Sequence, residues 1–283
     1  MPDSRISPPL RLLTLGRTLV ELRDAAGLTC GEVANRLQWS ASKVSRLERG
    51  ANQYATAGDI KRLLDLYRVE DAAVRAECQH LLRTGRVTPP WEEHKRGLGG
   101  LVEYVVWETE ASLICHWHPL LVPGQLQTEA YAHAVIAAGM IEQDEALVAM
   151  KVRARIARQW ITYCDDPVHV HALIGEQALR QQIGGPAVMA QQLDKLVADT
   201  SRPNITIRVI PHETSVGLSS GFVLLALPSL GEVLFLEVGI GGIIDQGPRV
   251  GEFKRRFNHF RELALPADES ADLISRIREG ITC

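Results

Sequence analysis

Apolar residues recur at spacings of three and four in the first part of the chain. Leu12, Leu15 and Leu19 follow this spacing, which is the pattern of a helix with one buried face. The pattern predicts an amphipathic helix over residues 10–26. Gly27 follows, and glycine commonly ends a helix because it reaches the left-handed backbone conformation at little cost.

Two short helical segments follow at close spacing. Thr29 and Glu32 form the T-x-x-E pattern of a capping box, which predicts that a helix begins at Thr29. Ser40 is a natural N-cap for the next helix, which Gly50 ends. The connecting turn can hold only about three residues. We expect five apolar residues of these helices to be buried: Val33, Ala34, Leu37, Val44 and Leu47.

Apolar spacing predicts a fourth helix near residues 60–67 and a fifth near residues 74–82. Turn residues and two consecutive prolines then cluster at residues 84–90, and Pro-Pro cannot continue a helix. The sequence therefore predicts an all-α, five-helix N-terminal domain over residues 1–86, followed by a linker over residues 87–97.

The pattern becomes mixed over residues 98–283, which predicts a larger α+β domain. Helical spacing predicts helices at 98–113, 125–139, 142–160, 186–199, 248–264 and 268–279. β-Branched and apolar enrichment predicts strands at 168–174, 204–210, 221–227 and 232–238. The last two helices carry apolar stripes that we assign to the core, with a dimer or partner surface as the alternative.

Charge is distributed unevenly along the 283 residues. The net charge is −3, but residues 1–86 carry 14 Lys and Arg against 10 Asp and Glu, and the remainder carries 17 against 24. A basic N-terminal part favours an anionic partner for that part alone. The five cysteines are scattered without a C-x-x-C pair, which favours reduced thiols and a cytoplasmic protein. We expect no signal peptide and no membrane span.

The two short helices have the arrangement that places a second helix in the DNA major groove. With the apolar residues inward, the outer face and its N-terminal end carry Ser40, Ala41, Ser42, Lys43, Ser45, Arg46 and Arg49. Ser and Arg can read base edges, and Lys and Arg can hold phosphates. The helix start at Thr29 offers backbone N–H groups to a phosphate. The alternative is a small helical bundle with a solvated face.

The segment GLTCGEVANRLQWSASKVSRLERG, residues 27–50, resembles the helix-turn-helix of the XRE (Cro/C1-type) repressor family. The resemblance extends over about residues 10–67 and implies a double-stranded DNA operator as the partner. It also implies an ion pair between Arg23 and Glu48, with two exposed charges as the alternative. Such a bridge sets helix geometry more than stability.

Three positions depart from that family's pattern. Cys30 and Ala41 stand where the family often has Gln. Both are candidate DNA-contact positions, and neither residue offers the polar contact that Gln would make there. Gln38 stands where the family usually has Gly. We expect Gln38 to adopt a left-handed backbone conformation, which Gly would reach at less cost.

Segments of the larger domain, including RARIARQWIT (153–162) and FLEVGIGGIIDQ (235–246), resemble the long C-terminal domain of actinomycete XRE regulators. Those regulators are commonly encoded beside a small partner protein and are described as developmental or antitoxin-like. The resemblance implies sensing of a partner or signal and identifies no reaction.

Histidines and a cysteine offer possible metal ligands in this domain. Cys115, His116 and His118 lie close in sequence, and His169 and His171 alternate on a predicted strand. No spacing matches a known zinc pattern, so we expect ordinary surface or half-buried histidines, and neither a metal nor another cofactor.

The sequence thus predicts a cytoplasmic, sequence-specific DNA-binding transcriptional regulator, a repressor, whose C-terminal domain forms a homodimer and senses a signal or partner. The alternative is an antitoxin-like protein that sequesters a small protein encoded next to it, with DNA binding as autoregulation. An enzyme with a helix-turn-helix appendage is disfavoured, since no catalytic motif is present.

Overall fold

The computed structural model describes residues 10–50, 55–85, 89–141, 144–214, 216–217, 220–228, 231–238 and 241–281. The chain divides into two compact units, Met1–Thr88 and Pro89–Cys283. The first is helical and the second combines helices with a sheet, so the predicted fold class is confirmed.

Five helices build the described part of the first unit. Their apolar faces converge on one core, in which Leu19, Val33 and Ile60 are completely buried. The bounds of the helices are α1 Leu10–Ala25, α2 Cys30–Leu37, α3 Ala41–Glu48, α4 Ala57–Leu66 and α5 Ala72–Thr84.

Polar caps fix where these short helices begin. Thr29 accepts a hydrogen bond from the backbone N–H of Glu32, and the Glu32 carboxylate accepts one from the backbone N–H of Thr29, so the predicted capping box is present. Thr56 and Asp59 form a second capping box at α4. The Ser40 side chain accepts from the backbone N–H of Lys43 at the start of α3. Each cap satisfies N–H groups that the first helical turn leaves without a partner.

Two glycines let α1 approach the end of α3 closely. A Cβ atom at Gly16 would lie 2.3 Å from the carbonyl oxygen of Glu48. A Cβ at Gly50, which has a φ of +65°, would lie 2.7 Å from the carbonyl oxygen of Leu12. Any larger side chain at either position would force the two helices apart.

The second unit contains one six-stranded sheet among its described residues, with strand order β3-β2-β1-β4-β5-β6. The first three strands are parallel to one another, and β4, β5 and β6 join them by antiparallel pairing. The strands are β1 Leu113–His118, β2 His169–Gly175, β3 Ile205–Ile210, β4 Phe222–Leu227, β5 Gly231–Val238 and β6 Gly241–Asp245.

Helices cover both faces of this sheet. Ile114 of β1 lies in the larger apolar core, while Trp117 of the same strand lies on the other face and packs against Phe260 with ring centroids 5.1 Å apart. The helices are α6 Val102–Glu110, α7 Glu129–Ala138, α8 Glu145–Arg158, α9 Glu176–Arg180, α10 Pro186–Asp199, α11 Arg249–Leu263 and α12 Ala267–Glu279. No helix in the described part of the chain is long and apolar enough to span a membrane.

The C-terminal helices direct their apolar stripes into the core. Phe257 and Phe260 of α11 are buried against the sheet, and Ile274 of α12 is completely buried on the other side. These stripes are therefore core residues, as the sequence favoured, and they leave no apolar face of α11 for a partner.

Two strands of the sheet were not predicted. β1, Leu113–His118, contains two histidines, a cysteine and only one β-branched residue, so its sequence has little of the β-branched enrichment by which strands are recognised. β6, Gly241–Asp245, begins with two glycines, which are disfavoured in strands. Strand pairing, and not local propensity, determines these two strands: β1 pairs with β4, and β6 pairs with β5.

The segment predicted as a linker differs most from expectation. Residues 87 and 88 lie outside the described residues, but 3-10 turns span Pro90–Leu101, interrupted at Gly99. Trp91 and Leu98 are buried in the core of the second unit. The described part of the predicted linker 87–97 is therefore part of that unit, because burial of Trp91 outweighs the turn-forming composition around it.

Candidate DNA interface

The helices α2 and α3 form a compact helix-turn-helix. Their buried residues are the five that the sequence predicted, Val33, Ala34, Leu37, Val44 and Leu47. Only Gln38, Trp39 and Ser40 separate the two helices. This arrangement exposes the opposite side of α3.

The turn requires an uncommon backbone conformation. Gln38 has φ 56° and ψ 44°, so its predicted left-handed conformation is confirmed. The next N–H, that of Trp39, donates to the carbonyl of Ala34 at 2.8 Å and closes α2. For a residue with a Cβ this conformation costs about 1 kcal/mol, which the packing of the two helices offsets.

The outer side of α3 carries polar and basic groups. Ala41, Ser42, Arg46 and Arg49 are exposed, and Ser45 is partly exposed. The Arg46 guanidinium donates to the Ser42 hydroxyl at 2.8 Å, so both side chains lie together on one stripe of the helix. Arg49 donates to the carbonyl of Ser45. These groups are the candidate DNA contacts on this side of the unit.

Lys43 has partners within its own unit. Its ammonium lies 2.7 Å from a carboxylate oxygen of Asp59 and 4.0 Å from the centroid of the Trp39 ring. Asp59 is itself the third helical residue of the capping box at the start of α4. A phosphate contact by Lys43 would therefore compete with an existing ion pair.

The helix starts differ in what they offer a phosphate. At α3, the Ser40 hydroxyl accepts from one N–H, and no acidic residue lies in the first turn. At α2, the Glu32 carboxylate binds the backbone N–H and hydroxyl of Thr29. These hydrogen bonds lower the pKa of Glu32, and the bond from the Thr29 backbone has the larger effect. A carboxylate at that position opposes a phosphate, so the start of α3 is the better anion site.

The ion pair implied by the family resemblance is present and largely buried. Arg23 Nε lies 2.6 Å from Glu48 Oε1, and the two side chains are only 13% and 9% exposed. Arg23 also donates to the carbonyl of Leu28 at 2.9 Å. The pair joins α1 to the end of α3, so it holds the candidate recognition helix at a fixed orientation.

Cys30 faces this ion pair. Its thiol lies 3.1 Å from Glu48 Oε2 and donates to it. Burial, followed by this hydrogen bond, raises the pKa of the thiol. The side chain expected at a DNA-contact position therefore points toward the carboxylate within the unit.

Two segments of the chain match known families. Residues 14–77 match a helix-turn-helix domain (HTH_31), which confirms the XRE-type helix-turn-helix and supports a DNA-binding regulator. Residues 101–276, more than half of the chain, match a domain of unknown function (DUF5753). The chain belongs to the DUF5753 family. No curated protein and no solved structure matches it.

The DUF5753 domain keeps its two histidine pairs apart. His116 and His118 lie on one face of β1, with ring centroids 5.5 Å apart. Cys115 of the same strand pairs in register with His171 of β2. Because side chains alternate along a strand, His169 and His171 lie on the opposite face from His116. The two pairs therefore cannot share one metal ion.

A different cluster has ligand atoms close together. Single ligand atoms of Glu176, His212 and Glu213 lie within 4.8 Å of one another, the one such group among the residues described. Burial raises the pKa of Glu176, but hydrogen bonds from His212 and Arg180 outweigh it and hold the pKa at about 2. Glu176 is thus already paired with two cationic or polar partners. No spacing in the sequence indicated this cluster, because 36 positions separate Glu176 from His212.

Proposed function

We propose that this chain is a sequence-specific transcriptional repressor. In this proposal the helix-turn-helix reads an operator, and the DUF5753 domain forms a homodimer and senses a signal. The observation that carries the proposal is the exposed stripe of α3, in which Arg46 and Ser42 lie side by side on a helix anchored by buried residues on its other face. The proposal includes no catalytic activity.

The candidate contacts divide by chemistry. Arg46 and Ser42 are assigned to base edges, because a guanidinium can donate two hydrogen bonds to guanine and a hydroxyl can bond to several bases. Arg49 and Lys43 are assigned to phosphates, which position a protein without specifying sequence. The remaining candidates lie near the two helix starts, at Thr29, Cys30, Ser40 and Ala41, or on the partly exposed side of α3, at Ser45.

Selection from a randomised duplex library tests sequence-specific binding and requires no assumed operator sequence. We expect the full chain to enrich one sequence over successive rounds. Arg46→Ala should lose about 1–3 kcal/mol of binding free energy on the enriched duplex and much less on a scrambled duplex. Arg17→Ala, which removes an exposed arginine of α1, is the matched control. Failure of the library to converge on any sequence would contradict the proposal.

The dimer proposal rests on an apolar patch at one edge of the sheet. β6 is the edge strand, and Val238 and Ile243 are 58% and 49% exposed. Ile243 pairs with Leu236, and Val238 follows two residues later on the same face. An edge strand flanked by exposed apolar side chains favours pairing with a second copy.

Sedimentation of the full chain tests this assignment. We expect a dimer at micromolar concentration and a monomer for Val238→Lys/Ile243→Lys. Leu120→Lys, at another exposed apolar residue of the unit, should leave the dimer intact. A wild-type monomer, or a double variant that remains dimeric, would contradict the assignment.

A further inference from the structure

The DUF5753 domain contains a partly enclosed cavity of about 80 Å³. This volume exceeds the roughly 10–15 Å³ that one water molecule requires. Tyr104 and Phe235, stacked with ring centroids 4.0 Å apart, contribute to its apolar wall. Its polar lining includes His116, His118, Gln125, Gln127, Arg155 and Arg158.

The polar lining contains buried atoms without partners. His116 is 1% exposed, and neither of its ring nitrogens has a hydrogen-bond partner among the described residues. Gln125 Oε1 and Arg158 Nε also have none. Arg158 Nε lies 3.5 Å from a carboxylate oxygen of Glu108, an ion-pair distance without a hydrogen bond. Buried polar groups are nearly always paired in proteins, so several unpaired groups around one cavity indicate a ligand.

The cavity favours negative charge. Two guanidiniums, those of Arg155 and Arg158, line it, and the acidic residue in its described lining, Glu237, is exposed. The pKa of Arg155 is lowered to about 10, mainly because the side chain is buried and also because the positive charge of Arg158 lies nearby. Burial also raises the pKa of Glu108, the buried carboxyl group that lies 3.5 Å from Arg158 Nε. An anion would stabilise both guanidiniums.

A hydrogen-bonded frame holds the wall of the cavity. Gln159 donates to the carbonyls of Gly124 and Gln127 at 2.8 and 2.9 Å, and Gln192 donates to that of Leu126 at 2.8 Å. Both glutamines are buried. Arg155 donates to Gln127 at 3.0 Å. Groups fixed in this way are preorganised for a ligand.

Gly124 provides the space that Arg158 occupies. A Cβ atom at Gly124 would lie 2.6 Å from Arg158 Nη2. The guanidinium would then have to move away from its present place at the cavity wall. The close approach explains why the smallest residue stands at this position.

We infer that this cavity binds a small organic or inorganic anion through a carboxylate or phosphate group held by Arg155 and Arg158, with His116 and His118 as further hydrogen-bonding partners. Planar guanidiniums match the geometry of both anions. The inference deepens the proposed function and rests on it, since it gives the chemical class of the signal that the DUF5753 domain would sense.

Imidazole signals of the full chain, followed by ¹H–¹⁵N NMR without DNA, test the inference directly. Inorganic phosphate and acetate are titrated separately at one fixed neutral pH, against sodium chloride at equal ionic strength. We expect one or both anions to shift the His116 and His118 signals saturably. His169 and His171, on the other face of the sheet, serve as internal controls and should not shift.

Variants connect the shift to the guanidiniums. Arg155→Gln should weaken half-saturation at least about tenfold, the loss expected for a charge-assisted hydrogen bond. Arg153→Gln, at an exposed position of the same helix, should bind as wild type does. If Arg155→Gln fails to fold, Gly124→Ala, which displaces the Arg158 guanidinium, should give the same weakening.

The outcomes separate the ligand classes and the two proposals. A response to phosphate alone assigns a phosphate group, and a response to acetate alone assigns a carboxylate. No saturable shift with either anion, or equal binding by wild type, Arg155→Gln and Gly124→Ala, would overturn the inference. Because no DNA is present, failure of operator binding would leave this result unaffected.

Discussion

The two units of the chain place their arginines in different surroundings. In the helix-turn-helix unit, Arg46 on α3 and Arg49 at its end are exposed, and the largely buried Arg23 is paired with Glu48. In the DUF5753 domain, Arg155 and Arg158 line a cavity beside groups that lack partners. Exposed cations suit a large polyanion such as a duplex, whereas enclosed cations suit a small anion. We therefore propose a different kind of partner for each unit.

Among substitutions in the first unit, we expect the largest effect from removing one partner of the buried ion pair. Arg23→Met should lower the free energy of unfolding of that unit by about 2–3 kcal/mol, because Glu48 is left buried without its countercharge. The double variant Arg23→Met/Glu48→Met should recover most of the loss. Hydrogen exchange measures this, with protection falling in α1–α5 and unchanged in the sheet. A loss shared by both units would contradict their separation.

A slightly smaller effect concerns the contact between α1 and α3. Gly16→Ala should destabilise the first unit by about 2 kcal/mol, because the new Cβ would lie 2.3 Å from the carbonyl oxygen of Glu48. Gly31→Ala in α2 is the matched control, since the nearest atom is 4.0 Å away. Alanine stabilises a helix relative to glycine, so the control should melt at or above the wild-type temperature. Equal melting of both variants would contradict the described packing.

A pH-dependent stability effect sharpens the contrast in the DUF5753 domain. Burial lowers the pKa of His116 well below 6.5 and that of His118 to about 4. Below pH 6.5 the unfolded chain therefore binds protons that the folded chain does not. Its free energy of unfolding should fall toward pH 4, each histidine adding up to about 1.4 kcal/mol per pH unit.

Denaturant unfolding at several pH values checks this prediction. His116→Gln/His118→Gln should show a shallower fall than wild type between pH 6.5 and 4. Glu176, whose low pKa of about 2 also makes stability fall in acid, is present in both proteins and cancels in the difference. An equal slope in the two proteins would contradict the lowered pKa values of the two imidazoles.

Local sequence signals predicted the helix starts and the buried face of the helix-turn-helix in the first unit. The caps at Thr29 and Ser40, the apolar spacing and the left-handed Gln38 each depend on neighbours within one or two helical turns. The ion pair of Arg23 with Glu48 joins distant positions, and the family resemblance implied it. The engagement of Lys43 by Asp59 was not predicted, because a side chain from α4 provides it.

The cavity of the DUF5753 domain could not be predicted in the same way. Its lining comes from the helices α6, α7 and α8, the strands β1, β4 and β5, and the loop near Gly124, and the sheet pairing brings the three strands together. β1 was not predicted, so His116 and His118 were interpreted as ordinary histidines. Their placement follows from the pairing of β1 with β2 and β4. This pairing joins distant segments, so residue spacing and composition do not predict it.

The role of α3 as the reading helix is tested most directly by the binding of the full chain to its selected duplex and to a scrambled duplex, measured by fluorescence anisotropy at one salt concentration. We expect wild type to prefer the selected duplex by at least about 4 kcal/mol, and Arg46→Ala to lose about 1–3 kcal/mol of this preference. Equal affinity of wild type for both duplexes, or an unchanged preference in Arg46→Ala, would contradict the assignment of α3 as the reading helix.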